Sequence, residues 1–548
     1  MCSCSPAPRL HTLRAALDSF ESRLDALNTA YGDAQWRKYL GRATAAEINA
    51  LEAERSVLLL DDEIFAFVMN HRADVDGDAC LARRLALVHR ALLEARATAP
   101  REIYELRNRI DRQIVAFKPI VAGETLSRAE QRDMLRKDPD RARRKSAWLA
   151  LGPLAATVEK DVLELMRRRN RIAQSLGCGD YPSLALSLAG LDRQMVERLF
   201  AELTDATDVP YRAFLDRAAS VLGLADPSPA ARHSSPVTRH LAEHPERSER
   251  ASPVTLLRPW DLTFAVDRLA ALPDAPFPKS EIVSASLALA EGLGLDRAAH
   301  KVRVDFADIP YGGLCFGVHP PDDVRILANP RDGHAYYSTM FHEFGHALHN
   351  RHVNPPSPIL RDEPGPFNEG QACTLQRFAA DPDWLATRRG LDRRAIDSYR
   401  RGWAQTMLVR FRTLMGLATF EYAAYATLAL DPAADLDLIP LYCETMERYT
   451  LVSWSEADGV GWADNPFWTS YPIYLQNYVV AEAIASRTHG ALRREFRALF
   501  ANSDVGEWLA EHYWRPAATI EWQDKIARAT GGPLSAQALI ADLQIADC

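Results

Sequence analysis

At residues 341–349 the chain reads Phe-His-Glu-Phe-Gly-His-Ala-Leu-His. On a helix, His342 and His346 share one face about one turn apart, so both imidazoles can reach a single tetrahedral zinc ion. Glu343 is rotated by about 100° from His342. A carboxylate there lies beside the ion and can take a proton from a metal-activated water. The spacing predicts a helix that supplies two zinc ligands and a general base.

A catalytic zinc site needs a third protein ligand and one open position. His349 lies about 10 Å along the helix from His342, too far for zinc–nitrogen bonds of about 2.1 Å, so we expect it to pack nearby. His352 completes the spacing H-E-x-x-H-x-x-G-x-x-H, but its glycine position is occupied by His349. Glu369 opens an apolar run on a predicted second helix. Glu369 is therefore the preferred third ligand, with His352 as the alternative.

The composition is that of a folded protein. The chain has 548 residues, of which 47% are apolar, and 65 Lys and Arg against 73 Asp and Glu give a net charge of −8. A nucleic-acid partner is not expected, because phosphate binding needs a basic surface. No run approaches the length of a membrane span, so no membrane partner is expected either. The sequence does not indicate the oligomeric state.

Cysteine usage and the start of the chain bear on localisation. The eight cysteines are scattered without a C-x-x-C pair, and the start MCSCSPAPRL lacks the apolar core of a signal peptide. Scattered cysteines favour reduced thiols. With no recognisable secretory signal, these features predict a cytoplasmic protein.

Helical periodicity dominates the chain. Near the start of the chain, apolar residues recur every three or four positions, which predicts one apolar face of a helix: Leu13, Leu17, Phe20, Leu24 and Leu27. Similar patterns fill 11–225, which predicts an all-helical first part, and they return from about 385. Alternation at 301–306 and two extended runs that end near 329 predict a small β-sheet directly before the zinc helix.

The predicted domains are an N-terminal helical region at 1–200 and a catalytic region at 201–548. Residues 226–256 have no apolar period and contain the tetrapeptide SPVT twice. This composition predicts a flexible insertion.

The sequence resembles the thimet oligopeptidase and oligoendopeptidase F family of zinc metallopeptidases, and more distantly angiotensin-converting enzyme. The zinc helix and Phe-Asn-Glu-Gly at 367–370 carry the resemblance. Outside the site it rests on Arg169-Asn170, Pro259-Trp260-Asp261 and the glycine-rich stretch 313–317. The matches are spread over roughly residues 165–480.

The resemblance implies a mainly α, zincin-like, multi-helical metallopeptidase with a deep central channel and a small β-sheet beside the zinc helix. It implies one zinc ion per chain on His342, His346 and Glu369, with Glu343 as the base. Short peptides are the implied substrates, because the channel excludes folded proteins.

A late tyrosine segment is also similar to the family. The resemblance implies that Tyr478 or Tyr474 donates to the oxyanion, a charge that needs a positioned donor besides the metal. An aromatic packing stripe that includes Tyr471 is the other interpretation. The sequence departs from the family at Trp468, where a histidine is expected, and at Gln376, where relatives often carry a carboxylate.

The resulting hypothesis is a zinc-dependent oligopeptidase that hydrolyses short peptides. The alternatives are a dedicated peptide-processing or leader-trimming protease and a non-catalytic, helical peptide-binding relative. The sequence does not distinguish an endopeptidase from a dipeptidyl carboxypeptidase, and cobalt or manganese can occupy the same ligands.

Overall fold

The computed structural model describes residues 6–72, 75, 77–224, 256–270, 272–309, 311–431 and 436–544. Helices make up most of the part before residue 225: α1 Pro6–Tyr39, α2 Ala45–Leu59, α3 Asp62–His71, α4 Ala79–Thr98, α5 Arg101–Ala116, α6 Arg128–Lys137, α7 Arg141–Leu149, α8 Gly152–Ser175, α9 Tyr181–Leu188 and α10 Arg193–Val221. The rest of the chain contains α11 Pro259–Leu269, α12 Ile282–Gly292, α13 Asp296–Ala299, α14 His334–His352, α15 Gly365–Gln376, α16 Pro382–Arg389, α17 Arg393–Leu430, α18 Ile439–Thr450, α19 Glu456–Gly459, α20 Leu475–Glu495, α21 Ser503–Leu509, α22 Trp522–Thr530 and α23 Gln537–Leu543.

The helices follow from caps and apolar stripes. Asp192 and Asp392 accept hydrogen bonds from backbone N–H groups in the first turns of α10 and α17, which satisfies donors that the helix leaves free. The stripe that begins the chain is buried against α3 and α4. A larger core extends along the chain from Ala97 to Leu543 and joins most of the other helices.

A three-stranded sheet precedes α14, as the alternation predicts. Strands β3 (Arg303–Phe306) and β5 (Asp323–Ala328) pair in parallel, and β4 (Gly313–His319) pairs antiparallel with β5 at the edge. Helix α1 packs on one face of this sheet, where Trp36 contacts Phe316 at 5.5 Å between ring centres. Helix α14 contacts β4 and β5 as well, so the sheet supports the helix that carries the histidines.

Close helix packing brings the two predicted ligand segments together. A Cβ on Gly345 of α14 would lie 2.8 Å from the Ala372 Cα atom of α15. A Cβ on Gly370 would lie 2.8 Å from side-chain atoms of Ile484 in α20. Only residues without a side chain allow these approaches, so the glycines let α14, α15 and α20 pack as one layer.

The mainly α architecture and the sheet before the zinc helix are confirmed. The expectation of an all-helical first part is wrong in one place, where β1 (Ile120–Val121) and β2 (Glu124–Thr125) form a hairpin. Its two-residue turn, Ala122-Gly123, has positive φ angles of 51° and 88°, as a type I′ hairpin turn requires. Two-residue strands are too short to show a period of two in the sequence.

The insertion predicted at 226–256 lies outside the described residues except for its last position. The division at residue 200 stays a prediction. Over the part of the chain that the structure describes, no helix combines the length and the apolar character needed to cross a bilayer.

Candidate metal centre

The three predicted ligands converge. His342 and His346 project from α14, and Glu369 projects from α15. The His342 and His346 Nε2 atoms are 3.1 Å apart, and His342 Nε2 lies 3.3 Å from Glu369 Oε2. One ligand atom from each of the three residues lies within 4.8 Å of the others.

These distances fit a tetrahedral ion. Two zinc–nitrogen bonds of about 2.1 Å at the tetrahedral angle place the nitrogens about 3.4 Å apart. The His342 and His346 Nε2 atoms are close to that separation, at 3.1 Å. A His-His-carboxylate set also leaves a fourth position open for water or substrate. The donors therefore fit zinc in the manner of a catalytic site.

The other ring nitrogens are held by amide oxygens. His342 Nδ1 lies 3.0 Å from Gln376 Oε1, and His346 Nδ1 lies 3.2 Å from Asn368 Oδ1. When a ring donates its Nδ1–H to such an acceptor, Nε2 presents its lone pair to a metal. Gln376, which departs from the family pattern, therefore still offers an oxygen acceptor to the predicted ligand His342.

Burial and neighbouring groups shift the pKa values of all three predicted ligands. Burial raises the pKa of Glu369, but hydrogen bonding to His342 and the nearby histidine charges outweigh it and lower that pKa to about 2. Burial lowers the pKa of His346 to about 4, so this ring is neutral at pH 7. Burial also disfavours charge on His342, but Cys373 and Glu369 raise its pKa well above the ordinary value. Glu369 and His346 therefore have the forms that bind metals, an ionised carboxylate and a neutral imidazole, whereas His342 has to release its proton when an ion binds.

Glu343 projects from α14 beside this group and packs against β4. Only 8% of its surface is exposed, and a Cβ on Gly313 would lie 2.7 Å from its Cγ atom. Burial and, to a smaller extent, the Glu369 charge raise the pKa of Glu343, whereas the His342 charge and a hydrogen bond from the Cys315 backbone lower it. Together they raise this pKa to about 7. A carboxyl that titrates near neutrality can accept a proton and return it.

The tyrosine segment reaches the same place from the start of α20. The Tyr474 hydroxyl donates to Glu369 Oε1 at 2.9 Å, opposite the oxygen that faces His342. The Tyr478 ring is 5.5 Å from the Tyr474 ring, and burial followed by the Glu369 charge raises the Tyr478 pKa to about 12. Tyr471 is 55% exposed, with its ring 6.1 Å from that of Tyr474. Of the three hydroxyls, that of Tyr474 contacts a predicted ligand.

The competing histidines lie elsewhere. Helix α14 continues through His349 and ends at His352, so the chain does not leave the helix after His346. His349 is buried, with Nδ1 3.5 Å from the Gln371 amide nitrogen. His352 packs on the Trp514 ring. Neither joins the ligand group that the described residues form.

Trp468 belongs to the core. It is fully buried, donates its Nε1–H to the Trp462 carbonyl at 2.8 Å and packs beside Phe420. The expected late histidine is therefore replaced by a packing residue.

Two further residues at the site escaped the sequence analysis. Asn368 directly precedes Glu369 in the chain, so its adjacency to the ligand was the available signal. Arg410 is exposed on α17, with its guanidinium carbon 5.7 Å from the centre of the Tyr478 ring. Among the described residues, no carboxylate lies within ion-pairing distance of Arg410. No periodicity or motif marks this arginine, because α17 is distant from the zinc helix in sequence.

Comparisons with known proteins bear on the fold. No protein-family model matches this sequence, and no curated protein matches it.

Solved structures do match over almost the whole chain. An M32 carboxypeptidase from Deinococcus radiodurans R1 is 16% identical with a TM-score of 0.63, covering 98% of this chain and 100% of its own. Trypanosoma cruzi metallocarboxypeptidase 1 is 14% identical with a TM-score of 0.65, covering 97% and 99%. BsuCP is 15% identical with a TM-score of 0.63, covering 98% and 99%. The chain therefore has the mainly α, zincin-like fold of the M32 carboxypeptidases.

Proposed function

We propose that this chain is a zinc-dependent metallopeptidase that hydrolyses peptide bonds in short peptides. The observation that carries the proposal is the convergence of His342, His346 and Glu369, with the Glu343 carboxylate buried beside them. When bound, zinc supplies a Lewis acid that acidifies water and polarises the scissile carbonyl.

The protein groups have separable roles. His342, His346 and Glu369 hold the ion. Glu343, whose pKa is about 7, removes a proton from water and delivers it to the leaving amine. Tyr474 is the first candidate to donate to the developing oxyanion, because its hydroxyl lies 2.9 Å from Glu369 and can turn its one proton from that carboxylate to the oxyanion. Tyr478 is the second.

The test compares Glu343→Gln with the wild type on quenched peptides. Glu343→Gln is expected to keep its zinc and to lose at least about 100-fold in kcat, the scale of general-base catalysis. The matched control is Glu291→Gln, because Glu291 is an exposed residue of α12. Full turnover by Glu343→Gln would refute the assigned base. Peptide binding without hydrolysis by the zinc-loaded wild type would support the non-catalytic alternative.

A carboxypeptidase mode is the second candidate. The matching Deinococcus radiodurans and Trypanosoma cruzi proteins are carboxypeptidases by name. Arg410 offers an exposed guanidinium beside Tyr478 that can pair with the terminal carboxylate of a peptide. The resemblance to oligoendopeptidase F favours internal cleavage instead, and generalist and leader-trimming enzymes both remain compatible with the metal centre.

Peptides that end in a free acid or in an amide distinguish these modes. A carboxypeptidase is expected to prefer the free acid, and Arg410→Gln should raise KM for the acid without affecting the amide. Arg394→Gln is the control, because Arg394 is exposed on the same helix. Equal cleavage of acid and amide at internal bonds would support the oligopeptidase. Turnover of only one peptide in a broad panel would support the dedicated processing enzyme.

A further inference from the structure

A buried carboxyl on α17 lies behind the tyrosine segment. Glu421 is fully buried, and its Oε1 accepts a hydrogen bond from the Ile473 backbone N–H at 3.0 Å. Among the described residues, its Oε2 has no hydrogen-bond partner. Burying a carboxyl group with an unpaired oxygen costs folding free energy. Of the groups that the structure describes, the Ile473 N–H is the one that forms a hydrogen bond with Glu421.

The backbone of Ile473 has a strained conformation that requires support from its neighbours. Its φ angle is +53°, in the left-handed region that a β-branched residue rarely adopts. Such a conformation persists only where the surroundings fix it. Glu421 holds the N–H of Ile473, and Gln476 donates its side-chain N–H to the Ile473 carbonyl at 2.6 Å. Two buried side chains therefore hold both polar groups of one strained residue.

The next residue is Tyr474. Its hydroxyl donates to Glu369 Oε1 at 2.9 Å, and its ring lies against α15, where a Cβ on Gly365 would be 3.3 Å from a ring carbon. The direction in which Tyr474 leaves the backbone depends on the turn at Ile473. A change of φ there would carry the hydroxyl away from Glu369.

The preceding residues are held in the same manner. Arg169 is buried and donates to the carbonyls of Trp468 and Thr469, each at 2.6 Å. The Thr469 hydroxyl donates to Asp111 at 2.8 Å. With this stretch fixed to α8 and α5, the remaining freedom lies near Ile473, which is where Glu421 acts.

We propose that Glu421 is a positioning residue, whose carboxyl fixes the strained Ile473 turn and thereby places the Tyr474 hydroxyl at Glu369. Its catalytic consequence rests on the proposed function, whereas its structural consequence does not. The role requires an acceptor at Oε1 and no charge, since an amide oxygen accepts the same bond. An apolar side chain of similar size fills the space but leaves the Ile473 N–H without its partner.

A double-mutant cycle tests the catalytic consequence. Tyr474→Phe is expected to lower kcat by about 100-fold, the scale for one oxyanion donor. Glu421→Leu should lower kcat by at least about 10-fold on the same ground, and Glu421→Gln should stay close to the wild type. The pair Glu421→Leu with Tyr474→Phe should match Tyr474→Phe alone. Multiplied losses in the double variant, or an inactive Glu421→Gln that retains its fold, would overturn the proposal.

Crystal structures of the variants test the placement without any activity measurement. In Glu421→Leu the Tyr474 hydroxyl is expected to leave Glu369, while in Glu421→Gln it stays. A Tyr474 hydroxyl still on Glu369 in Glu421→Leu contradicts the proposal. Should Glu421→Leu fail to fold, Gln476→Met removes the other hydrogen bond to Ile473 and is subject to the same two criteria. If the wild type hydrolyses no peptide, the proposed function fails, and these structures still decide the role of Glu421.

Discussion

At the scale of single residues, amide side chains contact both of the predicted histidine ligands. Gln376 Oε1 lies 3.0 Å from His342 Nδ1, and Asn368 Oδ1 lies 3.2 Å from His346 Nδ1. An amide orients an imidazole without adding charge, whereas a carboxylate also makes the ring a stronger donor. Gln376 and Asn368 therefore contact the two rings without adding charge to the proposed metal centre.

Gln376→Leu should weaken zinc binding about 10- to 100-fold, the usual cost of losing such a partner. Gln376→Glu should bind zinc at least as tightly as the wild type, because its carboxylate also accepts from Nδ1. Titration of the metal-free proteins against a chromophoric chelator measures both. Gln194→Leu is the control, since Gln194 is exposed on α10. An unchanged zinc Kd in Gln376→Leu would show that the contact does not orient His342.

At the scale of elements, the metal centre depends on the separation of α14 and α15. Gly345 lies between His342 and His346 and faces Ala372 of α15, so the glycine sets how closely Glu369 approaches the histidines. Helix α20 then packs on α15 at Gly370 and brings Tyr474 to Glu369. The ligands belong to two helices, and the candidate oxyanion donor lies at the start of a third.

Gly345→Ala should destabilise the protein by about 1–3 kcal/mol, because its new Cβ meets the Ala372 backbone and forces the helices apart. The same movement should weaken zinc binding by displacing Glu369. Urea unfolding of the metal-free protein and a zinc titration measure the two effects. Gly490→Ala on α20 is the control, since its Cβ would approach only the Arg494 side chain, at 3.9 Å. Unfolding at the same urea concentration in Gly345→Ala and the wild type would contradict the packing argument.

The sequence predicted those parts of the site that local geometry determines. The spacing of His342, Glu343 and His346 suffices because one helical turn fixes their relation. Glu369 followed from the catalytic pattern of ligands and the apolar run that it opens. The Tyr474–Glu369 contact, by contrast, depends on the packing of helices that are distant in sequence, since 105 residues separate Tyr474 from Glu369.

Residues on α17 were beyond sequence reasoning for the same reason. Arg410 and Glu421 lie in a long helix whose pattern indicates only burial and exposure. Arg410 gains meaning from its position beside Tyr478, and Glu421 from the strained φ of Ile473. Neither contact leaves a period or a motif in the chain.

At the scale of the whole molecule, contacts distant in sequence link the outer helices to the centre. Arg325 of β5 pairs with Asp33 of α1 at 2.9 Å, and Arg377, directly after α15, pairs with Glu482 of α20 at 2.8 Å. The folded chain also buries an ionisable group, the Glu421 carboxyl. Burial raises the pKa of Glu421 from 4.5 to about 8, although the Ile473 N–H and the Arg169 charge lower it. The folded protein therefore holds a proton that the unfolded chain releases.

This pKa predicts how stability depends on pH. Between pH 4.5 and about 8 the folded state binds more protons at Glu421 than the unfolded state does, so its contribution to stability falls as the pH rises. The slope reaches about 1.4 kcal/mol per pH unit at most. Glu421→Gln does not titrate, so its free energy of unfolding minus that of the wild type should rise across this window and level off above it. Urea unfolding at several pH values measures the difference, and a constant difference would contradict a neutral Glu421.

His342, His346 and Glu369 are proposed to hold one zinc ion together, and the other roles assigned at the site depend on that ion. The most direct test is the zinc Kd of the metal-free wild type, His346→Ala, Glu369→Gln and the exposed control Glu291→Gln. The wild type and the control should each bind one ion per chain with equal affinity. The two ligand variants should lose more than the roughly 100-fold expected for an outer partner. Wild-type zinc affinity in Glu369→Gln or His346→Ala would contradict the claim.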